Sequence, residues 1–212
     1  MSHKLAPLTG VVFFVVLLAG VLTGDNLSST DSGAKVIAYY TAHRSRLQAS
    51  ALLIGLAVFV GVVFYGLLRD YLRRSEGVRG LTATAFGGVL LFAASGCLGA
   101  GCTLALADSP SRLTPVSAQT LNLIKTDGNS VFSSAGIAVL LFAYGLAIVR
   151  SGLLPKWLGW VAFPFVILAL FPPTGFIAFI AAGLWTLIVS IVLYLRQAAA
   201  PAEADAQATT SA

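Results

Sequence analysis

Residues 48–68 read Gln48-Ala49-Ser50-Ala51-Leu52-Leu53-Ile54-Gly55-Leu56-Ala57-Val58-Phe59-Val60-Gly61-Val62-Val63-Phe64-Tyr65-Gly66-Leu67-Leu68, without one Asp, Glu, Lys, Arg or His. Arg44 and Arg46 stand just before this run and Arg69 directly after it. At 1.5 Å per residue such a run forms a helix of about 32 Å, enough to cross a hydrocarbon core of roughly 30 Å. Charged residues at both ends and none between are what a membrane-crossing helix requires, because an ionised group in hydrocarbon is costly.

The same pattern recurs along the chain. Uncharged apolar runs cover Pro7 to Gly24, Gln48 to Leu68, Leu81 to Ala107, Val131 to Val149, Pro155 to Phe171 and Gly175 to Leu195. The expected fold is therefore all-α, a polytopic transmembrane bundle of six spans. The composition agrees: of 212 residues, 58% are hydrophobic and 10% charged, with mean hydropathy +0.90. That excludes a disordered chain, a coiled coil and a disulfide scaffold. Pro172 and Pro173 separate the last two runs and are expected to turn the chain in a tight hairpin. Pro164 makes the fifth span a short, kinked one. The first run has the length of a signal peptide too, but no small-x-small cleavage site precedes Asp25, and an uncleaved first helix is preferred.

Net charge is +5 with pI 9.5. In a soluble protein this would suggest nucleic acid; here the basic residues lie between the spans and read as a topology signal, so nucleic acid is not an expected partner. With the amino terminus inside, Lys4, Arg69, Arg73, Arg74, Arg79, Arg150, Lys156 and Arg196 are cytoplasmic. Lys35, Arg44, Arg46, Arg112 and Lys125 are outside. The inner loops are the shorter and the denser in charge, which satisfies the positive-inside rule and leaves both termini in the cytoplasm. After Arg196 the chain turns polar and Ala-rich; residues 197–212 are expected to form a disordered tail.

Two outer segments carry helical patterns of their own. Val36, Tyr40, His43 and Leu47 recur at helical spacing after Asp31 and Ser32, either of which can cap an amphipathic helix. Thr114-Pro115 reads as an N-cap with proline at the first helical position, and Asp127-Gly128 as the end of a second short helix. The two would form a cap on the extracytoplasmic side. Tyr40, His43, Arg44, Arg46 and Asp127 are its candidate contacts for an anionic headgroup or an envelope ligand; anchoring at the membrane interface needs the same residue types and accounts for them equally.

Span three is dominated by small side chains from Ala93 to Thr103. Ser95, Gly99 and Thr103 recur every four residues, as do Ala93, Cys97 and Gly101, and such stripes let helices pack closely. Span three is expected to be central, with Ser95, Gly99 and Thr103 as packing positions. The other reading is that these residues line a cavity. Cys97 and Cys102 point to different helix faces and read as small apolar packing residues. No serine, histidine or carboxylate set for catalysis and no phosphate loop is apparent, so neither an enzyme nor a cofactor or metal is expected.

Leu154-Pro155-Lys156-Trp157-Leu158-Gly159-Trp160, together with Lys4-Leu5-Ala6-Pro7-Leu8-Thr9-Gly10 and Lys35-Val36-Ile37-Ala38-Tyr39-Tyr40, resembles the uncharacterised multi-pass membrane proteins of about six helices found in high-GC bacteria. The likeness runs over most of residues 4 to 196. It implies a bacterial plasma-membrane location and supplies no catalytic residue. Physically, Pro155, Lys156, Trp157 and Trp160 make an interfacial anchor: proline opens a helix, lysine holds the cytoplasmic face and the indoles lie at headgroup depth. The leading functional expectation is a non-catalytic membrane protein. Its outer helices would touch membrane lipids, an envelope protein or a second copy of the chain. The rival is a small transporter or channel for a neutral or hydrophobic solute, using the small-residue faces of span three with Ser133, Ser134, Tyr144 and Thr186, for which the discriminating feature is a cavity at mid-membrane depth.

Overall fold

The computed structural model describes residues 6–171 and 175–210. These form eight α-helices with no strand among the described residues. They are α1 (Thr9–Leu22), α2 (Gly33–Ala42), α3 (Arg44–Leu72), α4 (Arg79–Asp108), α5 (Pro115–Leu123), α6 (Asn129–Ser151), α7 (Lys156–Leu170) and α8 (Gly175–Thr210). A short 3₁₀ turn, Ala6–Leu8, leads into α1.

Four helices are long and apolar enough to cross a membrane: Arg44–Leu72, Arg79–Asp108, Pro115–Ser151 and Gly175–Gln197. The other two apolar helices are shorter, α1 with 14 residues and α7 with 15. Fifteen residues span only about 22 Å. The doubled proline between α7 and α8 lies outside the described residues, as do residues 1–5, but the two helices are separate. Phe171, after α7, is extended at φ −100° and ψ 114°.

Local chemistry explains three of the helix ends. The Ser32 hydroxyl accepts from the Lys35 amide at 3.4 Å and starts α2. Thr114 and Ser117 form a reciprocal capping box at α5, with Pro115 in its first turn. Gly152 ends α6 in the left-handed conformation, φ +65°, which a side chain would resist.

At Gly128 the structure departs from the sequence reading. It is helical, φ −61°, and stops nothing. A π-helical segment, Ile124–Gly128, joins α5 to α6, so residues 115–151 make one 37-residue helix in place of a separate surface helix and span four. Glycine tolerates a helix interior at a cost of only about 1 kcal/mol, which continuous hydrogen bonding and packing offset. At the other end of the chain, α8 continues as helix to Thr210 where composition predicts a disordered tail. Alanine, frequent there, is the strongest helix former.

The centre of the bundle is α6, not the third span: over the most apolar window, 56% of Pro115–Ser151 is buried but 28% of α4. One face of α4, with Leu90, Ala94, Cys97, Leu98 and Gly101, is exposed. The close approach of α4 and α6 is made at Gly88 and Gly136. A Cβ on Gly88 would lie 2.6 Å from the Leu140 nitrogen, and one on Gly136 2.6 Å from the Phe92 nitrogen. The α6–α7 crossing is equally tight at Gly145 and Gly159. Below this, Tyr65, Tyr144 and Trp185 are buried and satisfied. The Tyr144 hydroxyl donates to the Tyr65 carbonyl at 2.9 Å, Tyr65 pairs with Thr186 at 2.6 Å, and the Trp185 ring N–H donates to the Leu158 carbonyl at 2.8 Å.

At the opposite end, α2 and α5 lie together as a cap. Val36, Tyr40, Leu47, Leu106, Ala107 and Ala118 form its own small core. The start of α2 presses so closely on that of α5 that a Cβ on Gly33 would run into the Pro115 carbonyl.

Candidate functional site

Beneath the cap is a cavity of about 260 Å³ bounded by α1, α3, α4, α6 and α8. The walls from α1, α3, α4 and the π segment with α6 are stripes at four-residue spacing, the geometry that puts side chains on one face. From α4 come Ser95, Gly99 and Thr103, and from the π segment and α6 come Lys125, Asn129 and Ser133. From α3 come Ser50, Ile54 and Val58, and from α1 Phe13 and Leu17. Phe92 and Phe179 close the deep end, their rings 6.0 Å apart. The α4 and α6 walls thus carry hydroxyls and an amide, whereas the α1, α3 and α8 walls are hydrocarbon apart from Ser50, whose hydroxyl donates to the Gly20 carbonyl at 2.7 Å.

An ion pair forms the ceiling. Thr23 ends α1, and Asp25 follows two residues later with a carboxylate oxygen accepting from the Leu27 amide at 3.4 Å. Its other oxygen accepts from Lys125 Nζ at 2.5 Å and from the Tyr40 hydroxyl at 2.6 Å. Lys125 also reaches the Tyr40 oxygen at 3.2 Å and lies 5.6 Å from that ring's centre. The Asp25 and Lys125 side chains are each only 10% exposed, so the two charges depend on each other. Burial, the Asp25 charge and the hydrogen bond to it raise the Tyr40 pKa well above the ordinary range, which keeps its proton available for donation. On the cap's outer side, the hydrogen bond from Lys35 and then that from the Ser28 amide lower the pKa of Asp31.

The π segment explains how Lys125 comes to this position. A π turn is wider than an α turn and shifts the register of the helix beyond it; such insertions concentrate at functional sites. Here Lys125, Asn129 and Ser133 form one line down the cavity. Asn129 Oδ1 is buried without a hydrogen-bond partner, and a Cβ on Gly99 would lie 3.1 Å from Asn129 Nδ2. A buried amide oxygen left unpaired is costly, and in native proteins it usually signals strain, water or ligand chemistry.

Of the five contacts expected on the cap, only Tyr40 reaches this site. His43 lies tilted against Tyr39, ring centres 4.5 Å apart, and hydrogen-bonds that residue's carbonyl at 3.0 Å. Arg44 donates to the Asp108 carbonyl at 2.7 Å, and Arg46 to the Tyr39 hydroxyl at 2.6 Å and the Gly24 carbonyl at 3.3 Å. Both guanidiniums brace the cap from outside. Asp127 is exposed and has no part in the cluster. Ser95, Gly99 and Thr103 line the cavity, the other of the two readings of that stripe, with Gly99 also against Asn129; the tightest α4–α6 contact lies two turns nearer the start of α4, at Gly88. Lys156, Trp157 and Trp160 are exposed at the start of α7, with Pro155 as its cap.

Asp25, Lys125 and Asn129 escaped sequence reasoning as site residues. Asp25 directly ends an apolar run and Lys125 is an opposite charge shortly before another, which is the one signal that could have paired them. No family model, curated protein or solved structure matches this chain. The functional reading therefore rests on geometry.

Proposed function

We propose that this chain is a non-catalytic integral membrane protein that binds a small, uncharged amphipathic molecule in the cavity under its cap. The observation that carries this is the cavity's division into a polar wall and ceiling and an apolar wall and floor. A ligand with a hydrogen-bonding head and a short hydrocarbon body matches both. Asp25 and Lys125 neutralise one another, so a head with net charge would have to compete with the pair. Asn129 would bond the head, and Phe13, Val58 and Phe92 would enclose the body. The volume, about 260 Å³, falls just below the usual range of small-molecule sites, which begins at about 300 Å³, and so fits only a small ligand.

In this reading the chain crosses a bacterial plasma membrane six times with both termini cytoplasmic and the cap outside. Its basic residues favour that orientation, and the resemblance to multi-pass proteins of high-GC bacteria favours the location. The short α1 and α7 would be accommodated by local thinning of the bilayer and by interfacial anchors, among them Lys156, Trp157 and Trp160. The packed tyrosine layer beneath the cavity supports binding, or transport by alternating access, over an open channel. A second reading, the cap as a contact surface for lipid headgroups, an envelope protein or another copy, draws on Val116, 74% exposed on α5. The internal hydrogen bonds of Arg44 and Arg46 favour the cavity.

Thermal unfolding in lipid nanodiscs tests the proposal with decanol, decanoate and decylammonium as probes. Decanol at a hundredfold its Kd would add about 2.7 kcal/mol, raising the midpoint by roughly 5–11 °C. The charged probes should shift it less, and Gly99→Leu, which fills the cavity, should abolish the shift. An equal shift in Gly99→Leu, or none in the wild type, would defeat the proposal.

A further inference from the structure

A second space adjoins the cavity. It measures about 480 Å³ and lies between the first turns of α6 and the facing ends of α7 and α8. Asn129, Ser133 and Phe179 belong to both spaces. Along the π segment and α6 the two are served by adjacent stripes: Lys125 with the shared Asn129 and Ser133 lines the cavity, and Thr126, Ser130 and Ser134 line the crevice. The crevice is therefore polar along its α6 side and apolar along α7 and α8. Its rim consists of Val131, Leu170 and Phe176, which are 67%, 64% and 67% exposed. In a membrane-embedded bundle a rim of bare hydrocarbon opens towards lipid, since water would penalise it.

Resting on the cavity reading above, we infer that the ligand is a single-chain amphiphile dissolved in the outer leaflet, which reaches the cavity sideways between α6 and α8 past Phe179. The serines on α6 give the polar head hydrogen-bonding partners along the way, so it is never stripped bare, while the tail stays among the apolar side chains of α7 and α8. Asn129 lines both spaces, and its buried, unpaired side-chain oxygen accepts a hydroxyl or amide N–H once the amide turns towards either of them. The Phe179 ring, leaning on Phe92, is the movable partition: a rotamer change displaces a side chain and no backbone.

The crevice can be closed covalently. A Cβ on Gly175 would lie 3.4 Å from the Ser134 Oγ, close to the roughly 3 Å between a Cβ and the partner sulfur of a disulfide. The test uses the double variant Ser134→Cys with Gly175→Cys, made with Cys97→Ala and Cys102→Ala, in nanodiscs. The probe is a decanol bearing a photoreactive diazirine, and labelled cavity peptides are quantified against time. Oxidation should slow loading by about tenfold, with the same final occupancy, and reduction should restore the rate. Phe179→Ala should load faster than wild type and Phe179→Trp more slowly, an independent readout if the cysteine pair does not form. Equal rates for oxidised and reduced protein, or for the two Phe179 variants, would overturn the lateral route while leaving the cavity reading intact. Absence of cavity labelling at any time in the reduced protein would remove both.

Discussion

Removal of one partner of the Asp25–Lys125 pair is the perturbation whose size the geometry states most clearly. Lys125→Met keeps the length and apolar stem of the side chain but leaves the Asp25 carboxylate, 10% exposed, with only the Tyr40 hydroxyl and the Leu27 amide. Breaking a buried pair in this way costs about 3–5 kcal/mol. Because Tyr40 still donates at 2.6 Å, the lower figure applies, about 3 kcal/mol, or a fall in midpoint of roughly 6–12 °C for a chain of this size. Asp25→Asn should cost a similar amount, since it leaves the ammonium stranded. The double variant Asp25→Asn with Lys125→Met removes both charges and should return to within about 1 kcal/mol of wild type, because an uncharged replacement of a buried pair is often neutral. Unfolding of all four proteins in the same micelle gives the coupling energy, expected to exceed about 2 kcal/mol. Additive losses, with the double variant the least stable, would refute the claim that the two charges depend on each other.

The other predictions concern the cap and the helix crossings. Gly33→Val should drive α2 off α5, costing about 1–3 kcal/mol by overpacking and making Arg44 and Arg46 more sensitive to trypsin. Gly136→Val should be damaging for the same reason, because its Cβ, like that on Gly33, meets backbone, here the Phe92 nitrogen at 2.6 Å; loss of the folded fraction on gel filtration would register it. Tyr40 supplies a pH signature. Its proton is held more tightly in the folded state than the ordinary value of 10.0, so stability is intact below pH 10 and declines as pH rises above it, when the unfolded chain ionises first. Tyr40→Phe should reduce that decline by up to about 1.4 kcal/mol per pH unit between pH 10 and 11, read by chemical denaturation at each pH.

How far the fold was legible in the sequence depends on the range over which each signal acts. Gln48–Leu68 announces a crossing helix by its own composition, and Ser32 and Thr114-Pro115 announce caps by local hydrogen bonding; neither needs knowledge of the rest of the chain. Gly128 misleads because glycine is both a stop signal and a tolerable helix residue, and only the surrounding packing decides which. The stripe Ser95, Gly99 and Thr103 is ambiguous in the same way: small residues allow close packing or leave space, and the outcome depends on whether the facing helix presents glycine, as Gly136 does to Gly88, or presents Asn129. The ion pair could not be read at all from periodicity, since Asp25 and Lys125 are brought together by helices whose order in space no local pattern encodes. A π turn, with no sequence signature of its own, sets the final register.

The central claim is that the space beneath the cap receives an amphipathic molecule. The most direct measurement is peptide-resolved labelling by the diazirine-bearing decanol at equilibrium, comparing wild type with Gly99→Leu in nanodiscs. The account predicts adducts on the segments carrying Ile54, Phe92 to Thr103 and Ser133, lost in Gly99→Leu. Adducts confined to outward-facing residues such as Phe59 and Ile167, unchanged by the substitution, would contradict it.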